Sequence, residues 1–226
     1  MTGPLTDLES RARQSRGTSG EAIHALVGAL VDERHRGGGV LADVGCGTGA
    51  LCRRLQPKFA RCLGVDTVRY EGLDASIEFV EHDLDRPNIP LPDGCANVVA
   101  AVETIEHLEN PWAFGRELAR LAAPGGWVLV TTPNQLSVLS KTTLVVKNAF
   151  NAFQAPSYPA HRTALLEIDL RRIMAEAGLV DAEVRYTGRG RVPFTGGHYP
   201  RAFGRLAPRG CSDNVAIVAR KPGPGA

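Results

Sequence analysis

Residues 42 to 51 read ADVGCGTGAL, placed where the apolar run VLADV (40–44) ends and ALCRRL (50–55), stopped near Pro57, begins. This order predicts a strand, a glycine loop and a helix. Glycine at 45, 47 and 49 lets the backbone turn sharply and lets a ligand approach where a Cβ would otherwise stand. The helix that follows points its free N–H groups at such a ligand. The spacing Gly45-x-Gly47-x-Gly49 differs from the nicotinamide fingerprint, whose third glycine falls one position later, where this chain has Ala50. A glycine loop alone also serves as a ligand-free turn, so its neighbours carry the weight. Asp43 stands two residues before the first glycine, Asp66 ends the next apolar run, ARCLGVD (60–66), and Asp83 ends IEFVEHD (77–83). A carboxylate at such a strand end accepts two hydrogen bonds from ribose hydroxyls.

Outward from the loop, strand and helix patterns alternate with no internal repeat. EAIHALVGALVDERH (21–35) has apolar residues at helical spacing and runs into Gly37 to Gly39, which predicts a first helix. CANVVAAV (95–102) reads as a strand, and PWAFGRELARLAAPGG (111–126) as a helix entered through proline and left through Pro-Gly-Gly. WVLVTTP (127–133) is a fifth strand, TALLEIDLRRIMAEAG (163–178) a further helix, and AEVRYT (182–187) and NVAIVAR (214–220) the remaining strands. Strands separated by helices imply an α/β fold with a parallel sheet covered on both faces, because parallel neighbours need crossover connections. The expected organisation is an N-terminal segment and helix over 1–36, one domain over 37–220 and a disordered tail over 221–226. Residues 134–162, rich in Asn, Ser and Pro, read as an irregular substrate lid.

At 226 residues, with 43% hydrophobic and 22% charged residues, the chain suffices for one full-sized core. It has no run of the roughly 18 to 20 apolar residues that a membrane span needs, and MTGPLTDLESRARQSRG lacks the apolar centre of a secretion signal. Five cysteines without C-x-x-C spacing suggest neither a disulfide framework nor a zinc knuckle. A cytoplasmic, membrane-free protein is expected. Lys and Arg against Asp and Glu number 13 and 18 in residues 1–134 and 13 and 6 in 135–226, so the second part is basic. That suits solvated surface arginines or a face for an anionic partner.

Taken together, DVGCGTG, GVD (64–66), HDL (82–84) and NVVAAV leading to ETIEHL resemble the successive motifs of class I S-adenosylmethionine-dependent methyltransferases, over roughly residues 38–135. The resemblance implies a Rossmann-like, doubly wound, mainly parallel seven-stranded sheet. It implies S-adenosylmethionine as cofactor, with Gly45, Cys46, Gly47 and Gly49 along its methionine part, Asp43 holding its amino end, Asp66 on the ribose, and Asp83 with Leu84 at the adenine edge. Asn97 stands where many relatives carry an acid at the start of the fourth strand, a position that usually fixes structure.

ETIEH (103–107) follows the fourth strand, at the sheet end where ligands gather in such folds. Methyl transfer from a sulfonium is an in-line displacement, and a hydroxyl acceptor must also lose its proton. His107 is a candidate base. A structural His–Glu pair capping the turn is the bland alternative. If the turn is helical, Glu103, Glu106 and His107 converge on one side, and two carboxylates with an imidazole suit a hard or borderline divalent ion such as magnesium or manganese. The E-x-x-E-H arrangement resembles that of the ubiquinone-pathway O-methyltransferases and of small-RNA 2′-O-methyltransferases, where it is associated with a divalent ion and with neighbouring hydroxyls on the acceptor. His161, in YPAHRTALLEI, lies where those families carry another histidine, as fourth ligand or base. A third reading makes ETIEH the common turn of small-molecule methyltransferases, with His107 alone near the chemistry.

Phe150, Phe153 and Tyr158 fall in the expected lid and suit an aromatic acceptor or a small lid core. Arg189, Arg191, His198 and Arg201, in GRGRVPFTGGHYPRAF, form a basic glycine-rich patch suited to an acidic group on a substrate. The expected activity is O-methylation of a diol or phenolic small molecule, with 2′-O-methylation of an RNA end as runner-up. A nicotinamide oxidoreductase or a non-catalytic cofactor-binding subunit are the alternatives of other classes.

Overall fold

The computed structural model describes residues 17–223 and Gly225; the segment before Gly17, with Pro224 and Ala226 of the expected tail, lies outside the described residues. Seven strands form one sheet, β1 (Val40–Val44), β2 (Arg61–Asp66), β3 (Glu78–Glu81), β4 (Ala96–Val102), β5 (Ala122–Pro133), β6 (Val180–Tyr186) and β7 (Asn214–Arg220). Their order is β3-β2-β1-β4-β5-β7-β6. The first five are parallel, and β7 is inserted antiparallel between β5 and β6. The chain therefore has the doubly wound, mainly parallel sheet that its sequence implies.

Period-two alternation assigns each strand's side chains to two separate cores. On one face Leu41, Val98, Ala100, Leu129 and Val218 meet α1 (Glu21–Arg34), through Val27, Leu30 and Val31, and α2 (Ala50–Leu55), through Leu51 and Leu55. On the other, Ala42, Val44, Val99, Val128 and Ile217 meet α3 (Pro111–Leu121) and α5 (Glu167–Glu176). Both faces are dry, which is why the central strands read as continuous apolar runs. Helices α3 and α5 approach closely at Gly115, where an added Cβ would stand 2.4 Å from Ile173 Cγ2. Asn97, the departure noted above, accepts from the N–H of Val40 at 2.9 Å and pins the start of β1 to β4.

Several boundaries differ from the sequence reading. Helix α3 begins as expected, with Asn110 Oδ1 accepting from the N–H of Ala113 and Pro111 in its first turn, but it stops at Leu121. Ala122–Gly126 instead joins β5: Pro124 disfavours helix at the residue before it, and Ala122 pairs with Ala96. Within the expected irregular lid lies a ten-residue helix, α4 (Val138–Lys147), capped by Ser137 Oγ and ended by Asn148 in the left-handed region. A short helix, α6 (Arg201–Leu206), also went unread. Lys221, assigned to the tail, is anchored: its N–H donates to Gly126 O and its Nζ to Ala122 O.

Candidate active site

At the carboxyl end of the sheet the loop after β1 takes positive φ at Gly45 (84°), Gly47 (52°) and Gly49 (73°), conformations that glycine adopts without a Cβ penalty. Contact adds to the conformational demand. A Cβ at 45 would stand 2.2 Å from Thr104 Oγ1, and one at 47 would stand 2.2 Å from the carbonyl oxygen of Gly17. Gly17 in turn accepts from the N–H of Thr48 at 3.0 Å, so the residues before α1 cross over the loop.

A cavity of about 270 Å³ opens here. Of the predicted cofactor residues, Asp43, Gly45, Cys46, Asp66, Asp83 and Leu84 line it; Gly47 and Gly49 shape the loop from outside, under Gly17 and against Leu73 and Ile77. The N–H of Gly47 donates to Asp66 Oδ2 at 2.8 Å. Burial raises the Asp66 carboxyl, opposed by the backbone N–H groups of Gly47, Val68 and Thr67. Burial pushes Asp43 up to about 7, with the Cys52 thiol donating to it at 3.5 Å. Asp83 accepts from the N–H of Asp85 at 3.1 Å and from Arg86 Nε at 3.2 Å.

The ETIEH turn forms the opposite wall. Glu103 sits at φ 51° and precedes a short 3₁₀ turn, Ile105–His107, so the helical i, i+3, i+4 spacing assumed from sequence does not apply to it. Its carboxylate accepts from Thr131 Oγ1 at 2.9 Å and from Asn214 Nδ2 at 2.7 Å. Glu106, His107 and His161 are brought together instead, each offering a ligand atom within 4.8 Å of the others. Glu106 is fully buried, and neither carboxylate oxygen has a hydrogen-bonding partner among the described residues. Burial raises its carboxyl to about 8; burial, then Glu106, raises Glu103 well above the usual range. His107 Nδ1 and His161 Nδ1 donate to the carbonyls of Ala160 and Ala152 at 2.8 and 2.7 Å. These bonds fix both tautomers and leave Nε2 of each ring as the acceptor nitrogen. The rings meet edge to face, centroids 4.8 Å apart, and Phe153 packs on His161 at 5.4 Å. Burial and the neighbouring His107 lower His161, which favours its neutral form.

Three buried carboxylates, Asp43, Asp66 and Glu106, and the half-buried Glu103 thus surround one cavity with two imidazoles. Their desolvation and mutual repulsion are relieved when a cationic ligand enters. Sequence reading missed the wall made by Gly17–Gly20, Ile23 and His24. The only signal was the pair of glycines flanking Thr18 and Ser19 ahead of the first helix.

A family model described as a methyltransferase domain matches residues 13–184, and the chain belongs to that family, the class I S-adenosylmethionine-dependent methyltransferases. Among relatives, it is 31% identical over 126 residues to the ubiquinone biosynthesis O-methyltransferase of Bordetella bronchiseptica, covering 50% of this chain and 48% of that one. It is 27% identical over 135 residues to ajmaline N-methyltransferase of Rauvolfia serpentina, covering 51% and 45%. The chain thus spans about half the length of these curated relatives. A methyltransferase structure from Archaeoglobus fulgidus superposes with a TM-score of 0.65 over 95% of this chain and 100% of that one; at 16% identity this likeness concerns the fold alone. Among the described residues no helix is long and apolar enough to cross a membrane.

Proposed function

We propose that the protein transfers a methyl group from S-adenosylmethionine to a hydroxyl oxygen of a small-molecule acceptor bearing neighbouring hydroxyls, a diol or catechol-like phenol, with a divalent cation held by Glu106, His107 and His161. The observation that carries the reading is the buried, unpartnered Glu106 carboxylate beside two imidazoles whose Nδ1–H groups are already engaged. That donor set, one carboxylate and two imidazoles, suits a borderline divalent ion such as manganese, iron or zinc, and a buried carboxyl with no hydrogen bond is otherwise costly.

The acids fit the cofactor's charges. Asp66 lies at the end of β2 with room for ribose hydroxyls, while its Oδ2 steadies the loop through Gly47. Asp43 provides the anion for the ammonium group; Asp83 and Leu84 border the adenine end. Bound there, S-adenosylmethionine would supply an electrophilic methyl on a sulfonium, and a divalent cation would lower the pKa of a chelated hydroxyl. Glu106, His107 and His161 would hold that ion; without it, neutral His161 would take up the acceptor's proton. Glu103, held by Thr131 and Asn214, keeps its carboxyl at the boundary of the cavity as a further hydrogen-bonding group.

Calorimetry with S-adenosylhomocysteine, followed by methyl-transfer assays on catechol-type acceptors in chelator and in added manganese, tests the reading. Cofactor uptake together with transfer that falls in chelator and returns with manganese is expected. Full transfer in excess chelator removes the cation, and no cofactor uptake by folded protein removes the whole reading.

A further inference from the structure

The first cavity, at about 270 Å³, falls just below the usual size of a site for a single ligand. Next to it lies a larger one, of about 1080 Å³, sharing Gly20 and Ile23 with the first. Its Asn214 also donates to Glu103 of the first cavity, so the two are joined by a wall residue and by a hydrogen bond. One side is apolar or aromatic, with Ile23 and Leu26 of α1, Tyr186 and Tyr199.

The other side is cationic. Arg189, Arg201 and Arg205 line it, and among the described residues none of the three has an ion-pair or hydrogen-bond partner. Two acids share the lining, and both are already neutralised from elsewhere: Glu21 by Arg54 at 2.5 Å and Asp213 by Arg191 at 2.6 Å. Arg191, grouped with the others on sequence grounds, is thereby removed from the patch, and Arg205 joins it. Helix α6, which carries two of the arginines, is docked main chain to main chain, since a Cβ at Gly204 would stand 2.0 Å from Gly188 O. Three exposed guanidiniums on one concave wall, none with an ion-pair partner among the described residues, make a site for a planar or tetrahedral anion.

We propose that this second cavity binds an acceptor carrying a carboxylate or phosphate monoester on a largely apolar body, the anion on Arg189, Arg201 and Arg205 and the body along α1 toward Ile23 and the methyl-transfer cavity. The proposal rests on the methyl-transfer reading for what happens at the far end of the ligand, but the anion site itself is read from this wall alone.

The test titrates the full chain, with and without saturating S-adenosylhomocysteine, with 2-naphthoate, 2-naphthyl phosphate and the neutral 2-naphthamide, followed by chemical-shift perturbation or calorimetry. The acids are expected to bind at least about tenfold tighter than the amide, more weakly as salt rises. In Arg201→Gln/Arg205→Gln that preference disappears while S-adenosylhomocysteine affinity stays at the wild-type value. Tighter binding of the phosphate or of the carboxylate identifies which anion the wall prefers. Equal affinity for acid and amide in the wild type, retention of the preference in the double variant, or absence of binding by all three overturns the proposal. So does displacement of naphthoate by a short oligouridylate that binds more tightly and with a steep salt dependence, the mark of a nucleic-acid face. Acid-selective binding in a protein that takes up no S-adenosylhomocysteine sinks the methyl-transfer reading and leaves the anion site standing.

Discussion

The main-chain N–H of Gly47 donates to Asp66 Oδ2 at 2.8 Å, so the acid that ends β2 holds the glycine loop that follows β1. One carboxylate therefore has two tasks under the proposed function: it would receive a ribose, and it fixes the backbone of the glycine loop.

Replacing Asp66 should separate these tasks. Asp66→Ala removes both and is expected to lower S-adenosylhomocysteine affinity by about 2–4 kcal/mol, given the usual worth of hydrogen bonds to a charged group. Asp66→Asn keeps an oxygen for Gly47 and should lose less. Calorimetric titration of both variants checks this; equal losses would mean that the loop contact contributes nothing.

Alanine at the loop glycines should be costly for two different reasons. At Gly45 the obstacle is the Thr104 side chain, at Gly47 the main-chain oxygen of Gly17. Each change should cost about 2–4 kcal/mol once positive-φ strain and the clash are combined. Adding Thr104→Ala should recover part of the loss in Gly45→Ala and none in Gly47→Ala. Denaturant unfolding of the four variants reads the difference directly.

Asp43 gives a pH signature. Its folded value, about 7, lies above the ordinary 3.8 of an aspartate, so the native state holds a proton that the unfolded chain releases. Stability contributed by that protonation is full below about 3.8, declines as pH rises toward 7, and is level above it. Asp43→Asn cannot ionise, so its stability advantage over wild type should widen between pH 4 and 7 and then stay constant, as about a few kcal/mol. The same variant should bind S-adenosylhomocysteine more weakly. Thermal melts across pH check the first statement; an advantage that shrinks with rising pH contradicts it.

Manganese should raise the melting temperature of the wild type through mass action on the folded state. Glu106→Gln should abolish the shift. Glu103→Gln should retain it, because that carboxylate is engaged by Thr131 and Asn214 and lies outside the Glu106, His107 and His161 group. Loss of the response in Glu103→Gln but not in Glu106→Gln would exchange their roles. Differential scanning fluorimetry with and without chelator suffices.

The central strands were legible because both of their faces are buried, so VLADV and NVVAAV each carry one polar residue, Asp43 and Asn97, in an otherwise apolar run. Asp43 and Asp66, the acids proposed for the cofactor at the ends of β1 and β2, were legible for a similar reason, each being the first charge after an apolar run, whereas Asp83 follows Glu78 and Glu81 and was placed by the family resemblance. Helix α4 was not, since its buried residues are Ser140 and Thr143 and its valines face outward, leaving no apolar stripe to count. The antiparallel insertion of β7 was not legible, because an apolar run carries no mark of its direction; the family resemblance implied only a mainly parallel seven-stranded sheet. Glu103 was misplaced by a backbone property, its positive φ, that side-chain spacing does not encode. The second cavity joins α1 to residues 186–214, far apart in the chain, and arises only from the topology.

Because Gly17 rests on Gly47 and residues 17–20 roof the cavity, the β1–β5 half alone does not enclose it. A clone started at Val40 would keep every one of the cavity's acids and every loop glycine yet leave the cavity open to bulk water on the side that residues 17–20 and Ile23 now close.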